Sequence, residues 1–189
     1  MKNLLYLFFI YSQTIFSQNY NIEYNYEDIN TKCKSNLYVL SNKESLYRIN
    51  DEREGGVKRN EETDNVEIVY NDKISKIFYS TSEKAIVRLP LYKSEIIYFD
   101  LNNKISYKLT GKQKKILKYN CQEAKFILNG RKYTVWFTPE LEINFGPLKI
   151  NGLPGLILEL TEETNKIKIT LNSFKKTINL DEFKKYKKY

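Results

Sequence analysis

The sequence predicts an all-β protein folded as a single domain. Three observations carry this. Apolar and polar residues alternate with period two in run after run, tight-turn residues separate the runs, and no window of helical period exceeds the strand signal outside 180–188. Many short strands joined by tight turns imply an antiparallel meander rather than βαβ units. About a dozen such strands fit one large curled sheet, an open barrel or a two-layer sandwich, and pattern alone does not choose among them.

The elements follow in order. Tyr20, Ile22, Tyr24 and Tyr26 alternate with Asn21, Glu23 and Asn25, as a strand with one dry and one wet face requires. Weaker strand signals cover 36–40, 45–50, 66–71, 75–80, 84–89 and 95–99. Ile105, Tyr107 and Leu109 alternate with Lys104, Ser106 and Lys108. Further runs cover 114–119, 122–128, 131–138 and 155–160, and Ile167, Ile169 and Leu171 alternate with Lys166, Lys168 and Thr170. Turn residues stand between them at Asn42-Lys43, Asn71-Asp72, Asn102-Asn103, Asn129-Gly130 and Thr164-Asn165. Asn129-Gly130 is the strongest hairpin signal, because a type I′ turn needs φ > 0 at both central residues. Residues 50–65 have one aliphatic side chain, Val57, among clustered charges around Gly55-Gly56, and read as a long, mobile hairpin loop. A calcium site is the sharper reading of those carboxylates, but their spacing matches no EF-hand loop.

The first seventeen residues read as a secretory signal peptide: Lys2, the apolar run Leu4–Tyr11, then a small residue, Ser17, at the expected cut. Residues 18–189 then form the single β-rich domain, exported and most simply periplasmic, with release outside the cell as the alternative. The apolar run is too short to span a bilayer of ~30 Å, and no second such run follows, so no transmembrane segment is expected. The formal net charge is +8, from 31 basic and 23 acidic residues, but the signs are interleaved. No basic stripe with a recognisable module appears, so nucleic acid is not an expected partner. The one dense basic cluster, Lys184 to Tyr189, reads as a solvated tail or as a contact to an anionic surface.

The chain contains no histidine, which excludes Ser-His-Asp and Cys-His catalysis and imidazole metal sites. No phosphate-cradling or dinucleotide-binding motif is present, and no cofactor is implied. Carboxylate pairs remain at Glu140 with Glu142 and at Glu162 with Glu163, and both flank turns where solvated carboxylates are ordinary. Cys33 and Cys121 are the only cysteines. An even count in an exported protein suggests a disulfide, and two buried free thiols are the alternative.

Two of the four prolines and three of the seven glycines fall between Gly146 and Gly155. Leu153-Pro154-Gly155-Leu156 fits a type II turn, with proline presetting φ and glycine supplying φ > 0. Trp136 points away from Tyr133, Val135 and Phe137 on its strand. Tyr133, Trp136 and Phe137 are the candidate binding residues of this segment.

The string Gly152-Leu153-Pro154-Gly155-Leu156-Ile157 resembles the signature of the GLPGLI family of exported bacterial proteins, found mainly in Bacteroidetes. Tyr119-Asn120-Cys121-Gln122 with Ala124, Gly130-Arg131-Lys132-Tyr133 with Val135-Trp136-Phe137-Thr138-Pro139, and Gly146-Pro147 resemble other elements of that family. The resemblance implies an exported β-rich envelope protein and brings no established activity. It leaves the signature two roles: an obligatory turn, or an exposed turn that meets a ligand.

The expected function is a non-catalytic binding module that holds a lipid, peptide or envelope protein. The aromatic residues, 16 Tyr and 10 Phe, are able to wall a concave site for it. Alternatives are an accessory subunit of an outer-membrane complex and, below that, a histidine-free hydrolase.

Overall fold

The computed structural model describes residues 18–50, 56–59, 66–69, 75–91, 94–102, 104–177 and 180–187, so the expected signal peptide lies outside the described residues. The order is β1 (Tyr20–Asp28), β2 (Lys32–Leu40), β3 (Glu44–Asn50), β4 (Gly56–Arg59), β5 (Val66–Val69), β6 (Ser75–Thr81) and β7 (Ala85–Leu91). There follow β8 (Ser94–Asp100), β9 (Lys108–Ile116), β10 (Tyr119–Leu128), β11 (Arg131–Thr138), β12 (Leu156–Glu162), β13 (Ile167–Lys175) and one helix, α1 (Leu180–Lys187). Eleven strands form one antiparallel sheet in the order β8-β7-β6-β3-β2-β1-β13-β12-β11-β10-β9. It is a single open sheet, neither closed into a barrel nor split into a sandwich. The strands β4 and β5 pair antiparallel with each other and separately from the main sheet, so the charged 50–65 segment, expected as a hairpin loop, supplies one strand of a hairpin at 56–59.

Sheet curvature follows from who shares the core. Tyr47 on β3, Tyr24 on β1, Leu160 on β12 and Phe126 on β10 belong to one buried cluster, although many strands separate β3 from β10. Only a sheet curled toward one side lets such distant strands meet. The concave side is filled by the chain itself. Ile143, Phe145, Leu148, Ile150 and Leu153, all from the β11–β12 connection, are buried in that core. A lining of empty apolar walls is therefore not what the aromatic residues make.

Several local expectations hold. Asn129 (φ 50°) and Gly130 (φ 75°) form the tight β10–β11 turn. The helical tendency at the C-terminus is α1, whose Phe183 is buried with Tyr38, Leu46, Ile77, Tyr79 and Ile86 on the convex side. The basic tail thus lies largely within this helix, with 188–189 outside the described residues.

Other expectations change. Residues 104–107 are not a strand. Tyr107 instead meets Phe126 edge-on, with ring centroids 5.3 Å apart, and its hydroxyl donates to the Asn151 carbonyl. The expected 114–119 strand is broken by a turn at Leu117-Lys118, which joins β9 to β10. No disulfide joins the two cysteines. Cys33 lies on β2 and Cys121 on β10, with β1, β13, β12 and β11 between them. Measured along the sheet, five interstrand steps of about 4.8 Å separate them, against the ~7 Å Cα reach of a disulfide. Burial pushes the Cys121 thiol pKa up, which disfavours the thiolate that oxidation needs.

Candidate functional site

The β11–β12 connection explains where the Gly152–Ile157 signature sits. The Gly152 N–H donates to the Asn144 carbonyl at 2.8 Å, and the Leu156 N–H to the Leu141 carbonyl at 3.0 Å. Leu153, Leu156 and Ile157 are buried. The turn is not type II. Gly155 N–H donates to the Leu153 carbonyl at 2.9 Å, a three-residue turn about Pro154. A Cβ on Gly155 would overlap the Thr138 carbonyl, so this position needs glycine because backbone passes against it. The signature locks the connection into the concave core. It presents no described apolar surface to a partner.

The connection is pinned at its other contacts too. The Asn144 N–H donates to Asn42 Oδ1 at 3.0 Å, and Asn42 Nδ2 to the Glu142 carbonyl at 3.3 Å. Asn151 Nδ2 donates to the Thr81 carbonyl at 2.9 Å. The buried Lys149 pairs with Asp100, which holds the Asp100 carboxyl below its usual range.

With the concave side occupied, the outer face becomes informative. The sheet register places Glu123 opposite Trp136, Trp136 opposite Glu159, and Glu159 opposite Thr170. Directly paired residues share a face, so one row crosses β10, β11, β12 and β13. Tyr133, Val135 and Phe137 are buried in the core, which turns Trp136 to the other side. The proposed binding residues therefore divide: Tyr133 and Phe137 pack inward, and only the half-buried Trp136 faces out.

The edge strand β9 furnishes the charges around this indole. Lys114 Nζ lies 4.4 Å from the Trp136 ring centroid and pairs with Glu159. Lys112 Nζ stands 3.5 Å from Glu123, and Thr110 Oγ1 donates to the same carboxylate at 3.1 Å. Glu123 is 4% exposed, an unusually buried carboxylate that needs these partners. The product is an aromatic face with a carboxylate and an ammonium group at each end. The two carboxylates are two interstrand steps apart, about 10 Å, with the indole between them.

Three of the four carboxylates singled out from sequence have structural partners. Glu140 Oε1 accepts the Asn120 N–H at 2.8 Å. Glu162 accepts from the Thr164 hydroxyl and from the Lys166 N–H, and these bonds hold its pKa below the usual range. Glu163 faces Lys132 at 3.6 Å. Among the described residues, no three acidic or thiol side chains gather as a metal site.

A second concavity lies where β12 and β13 part. Their pairing covers only Glu159–Thr161 against Lys168–Thr170. Beyond it, Tyr24 in the core donates its hydroxyl to the Ile157 carbonyl at 2.9 Å. A shallow cleft of about 340 Å³ is lined by Leu117, Tyr119, Leu171 and Phe174 with Lys118, Asn172 and Ser173. Leu117 is 70% exposed and held at φ 55°, a left-handed conformation costly for leucine.

Fold and site define a single all-β domain: an open curled sheet, sealed on its concave side, with a charged aromatic row outside. This chain belongs to the PNGase F-II N-terminal domain family, described as N-glycanase peptide, N-terminal domain, whose family model matches residues 29–189. Two solved structures of PNGF-II share the fold. The one in a C2 crystal form has a TM-score of 0.57 at 18% identity, and the one in a P21 form 0.56 at 19%. Each match covers 90% of this chain and 30% of the solved chain, so this chain spans about a third of those proteins' length. No curated protein sequence matches the chain.

Sequence reading singled out Trp136 but not Glu123, Glu159, Lys112 or Lys114. These residues are far apart in the chain and meet only through strand register.

Proposed function

We propose that this domain is a non-catalytic carbohydrate-binding module that acts outside the cytoplasm. The observation that carries the reading is the Glu123–Trp136–Glu159 row with Lys112 and Lys114. A pyranose presents C–H groups on its faces and hydroxyls around its rim. The first stack on an indole, and the second exchange hydrogen bonds with carboxylate and ammonium groups placed at the indole's two ends. Lys114 covers the ring at present, and its side chain is 38% exposed, so a sugar displaces a solvated ammonium rather than a packed side chain.

Family membership supports a glycan over other hydroxyl-rich ligands, since the family description names an N-glycanase. The N-terminal apolar run supports export, and the sealed concave side argues against the lipid-carrier form of the binding reading. Service as an accessory part of an envelope complex is compatible with glycan binding rather than opposed to it.

The chain has one tryptophan, so its emission reports on this site alone. Titration with N-glycan oligosaccharides produces a saturable change in that emission. Trp136→Ala lowers affinity by calorimetry roughly tenfold or more, the usual weight of a central indole. Unchanged emission across the titration, or Trp136→Ala binding as well as the parent, overturns the proposal.

A further inference from the structure

The outer face beside Trp136 carries an unbalanced row of charge. Two residues along the strands from the indole row, the register runs Lys108↔Lys125↔Thr134↔Thr161↔Lys168 across β9, β10, β11, β12 and β13. Directly paired residues share a face. Thr134 stands two residues from Trp136 on β11, so this row lies on the outer side, about 7 Å from the indole row. Lys108, Lys125 and Lys168 are exposed, and the two threonines are half-buried.

Ion pairing around the row leaves those three lysines over. On one side of it, Glu123 is held by Lys112 and Glu159 by Lys114; on the other, Glu163 is held by Lys132. Glu27, which continues the row beyond Lys168, pairs with Lys32. Among the described residues, Lys108, Lys125 and Lys168 form no ion pair. Lys108 faces Lys125 directly, an arrangement that like-charge repulsion disfavours. Lysines on an edge strand discourage edge pairing, which explains Lys108 on β9 but not Lys125 or Lys168 on the interior strands β10 and β13. Between Lys125 and Lys168 the row places two hydroxyls, those of Thr134 and Thr161.

We infer that this row is an anion subsite: the glycan that stacks on Trp136 carries an acidic group, a carboxylate or a sulfate ester, on the sugar next to the stacked ring. The inference rests on the carbohydrate reading and names the class of glycan. The row lies about one sugar's length from the indole. There the Thr134 and Thr161 hydroxyls donate to the anion, and Lys125 and Lys168 approach it from either side. The two lysine Cα atoms are three interstrand steps apart, about 14 Å, a gap that two extended lysine side chains and one anion between them fill. A lysine ammonium is a point charge without the fixed fork of arginine, so the row selects for negative charge rather than for one anion's shape.

Trp136 emission, titrated with matched pairs of oligosaccharides, tests it. One pair is a sialylated N-glycan and its desialylated form; the other is a sulfated oligosaccharide and its unsulfated form. In about 0.01 M salt the acidic member binds roughly tenfold tighter, the weight of two or three exposed charge contacts. That preference fades toward about 1 M salt, where exposed charges are screened. Lys125→Gln combined with Lys168→Gln abolishes it. Lys43→Gln combined with Lys84→Gln, the same loss of charge in the β2–β3 and β6–β7 connections, retains it. The pair that shows the preference identifies the anion. Equal affinity within both pairs overturns the inference and leaves the carbohydrate reading standing, whereas an indole silent toward all four sugars overturns both. A preference that survives Lys125→Gln with Lys168→Gln overturns the inference as well. So does one that Lys43→Gln with Lys84→Gln removes equally, since net charge is then its source.

Discussion

Gly155→Ala is the sharpest single perturbation of the core. A Cβ there meets the Thr138 carbonyl carbon at 2.6 Å and Pro139 Cα at 2.9 Å, besides overlapping the carbonyl oxygen. All three are backbone atoms at the end of β11, so no side chain is able to swing away. Either β11 or the start of β12 must move by roughly an ångström, and packing at interior density does not absorb that. The move breaks the Leu156 N–H bond to the Leu141 carbonyl and the Thr138↔Leu156 pairing. It also loosens Leu156, which is 0% exposed. One hydrogen bond contributes about 1 kcal/mol, and partial exposure of a buried leucine adds about 2 kcal/mol. The expected loss is about 3 kcal/mol, a large share of a typical domain's stability. Gly130→Ala is the control: φ is 75° but nothing lies within 4 Å, so only the left-handed backbone is penalised, about 1 kcal/mol. Urea unfolding followed by Trp136 emission measures both. If Gly155→Ala unfolds at the same midpoint as Gly130→Ala, the close approach of β11 and β12 is wrong.

Three further outcomes follow from the structure. Leu117→Gly stabilises by about 1 kcal/mol in the same assay, because it relieves a left-handed leucine without unburying one; a destabilised variant would mean that Leu117 packs against something. Burial pushes the Tyr24, Tyr47 and Tyr107 hydroxyls well above 10, so their protonated forms stabilise the fold fully below pH ~10. As pH rises above 10 the unfolded chain ionises first, and each of these tyrosines forfeits about 1.4 kcal/mol per pH unit; a flat stability profile from pH 9 to about 11 would contradict this. Intact mass and thiol titration of the purified protein find two free thiols after unfolding and none rapidly reactive at Cys121 before it; a mass lower by two protons would restore the disulfide.

The parts legible in the sequence are those that local chemistry decides. Asn129-Gly130 gives its hairpin because φ > 0 at two consecutive positions leaves few alternatives. Tyr20–Tyr26 gives β1 because its alternation buries one face. What failed depends on distant partners. Residues 104–107 alternate as a strand would, yet Tyr107 is claimed by Phe126 and the Asn151 carbonyl. Leu153-Pro154-Gly155 has type II composition, but backbone crowding at Thr138 determines its geometry. Cysteine parity suggested a bridge that strand order opposes. The outer-face row was visible only as Trp136. Glu123, Glu159, Lys112 and Lys114 join it through register, and irregularities beside Gln122 and Trp136 set that register.

The central claim is that this family member recognises a glycan on its outer face. Amide and indole shifts of the labelled protein, recorded during titration with an N-glycan oligosaccharide, locate the contact directly. The account predicts saturable shifts at the Trp136 indole and at residues 110–114, 123 and 159, with the concave core unmoved. Shifts confined to Leu117, Leu171 and Phe174, or none at the indole, would place the ligand in the cleft or nowhere and contradict it.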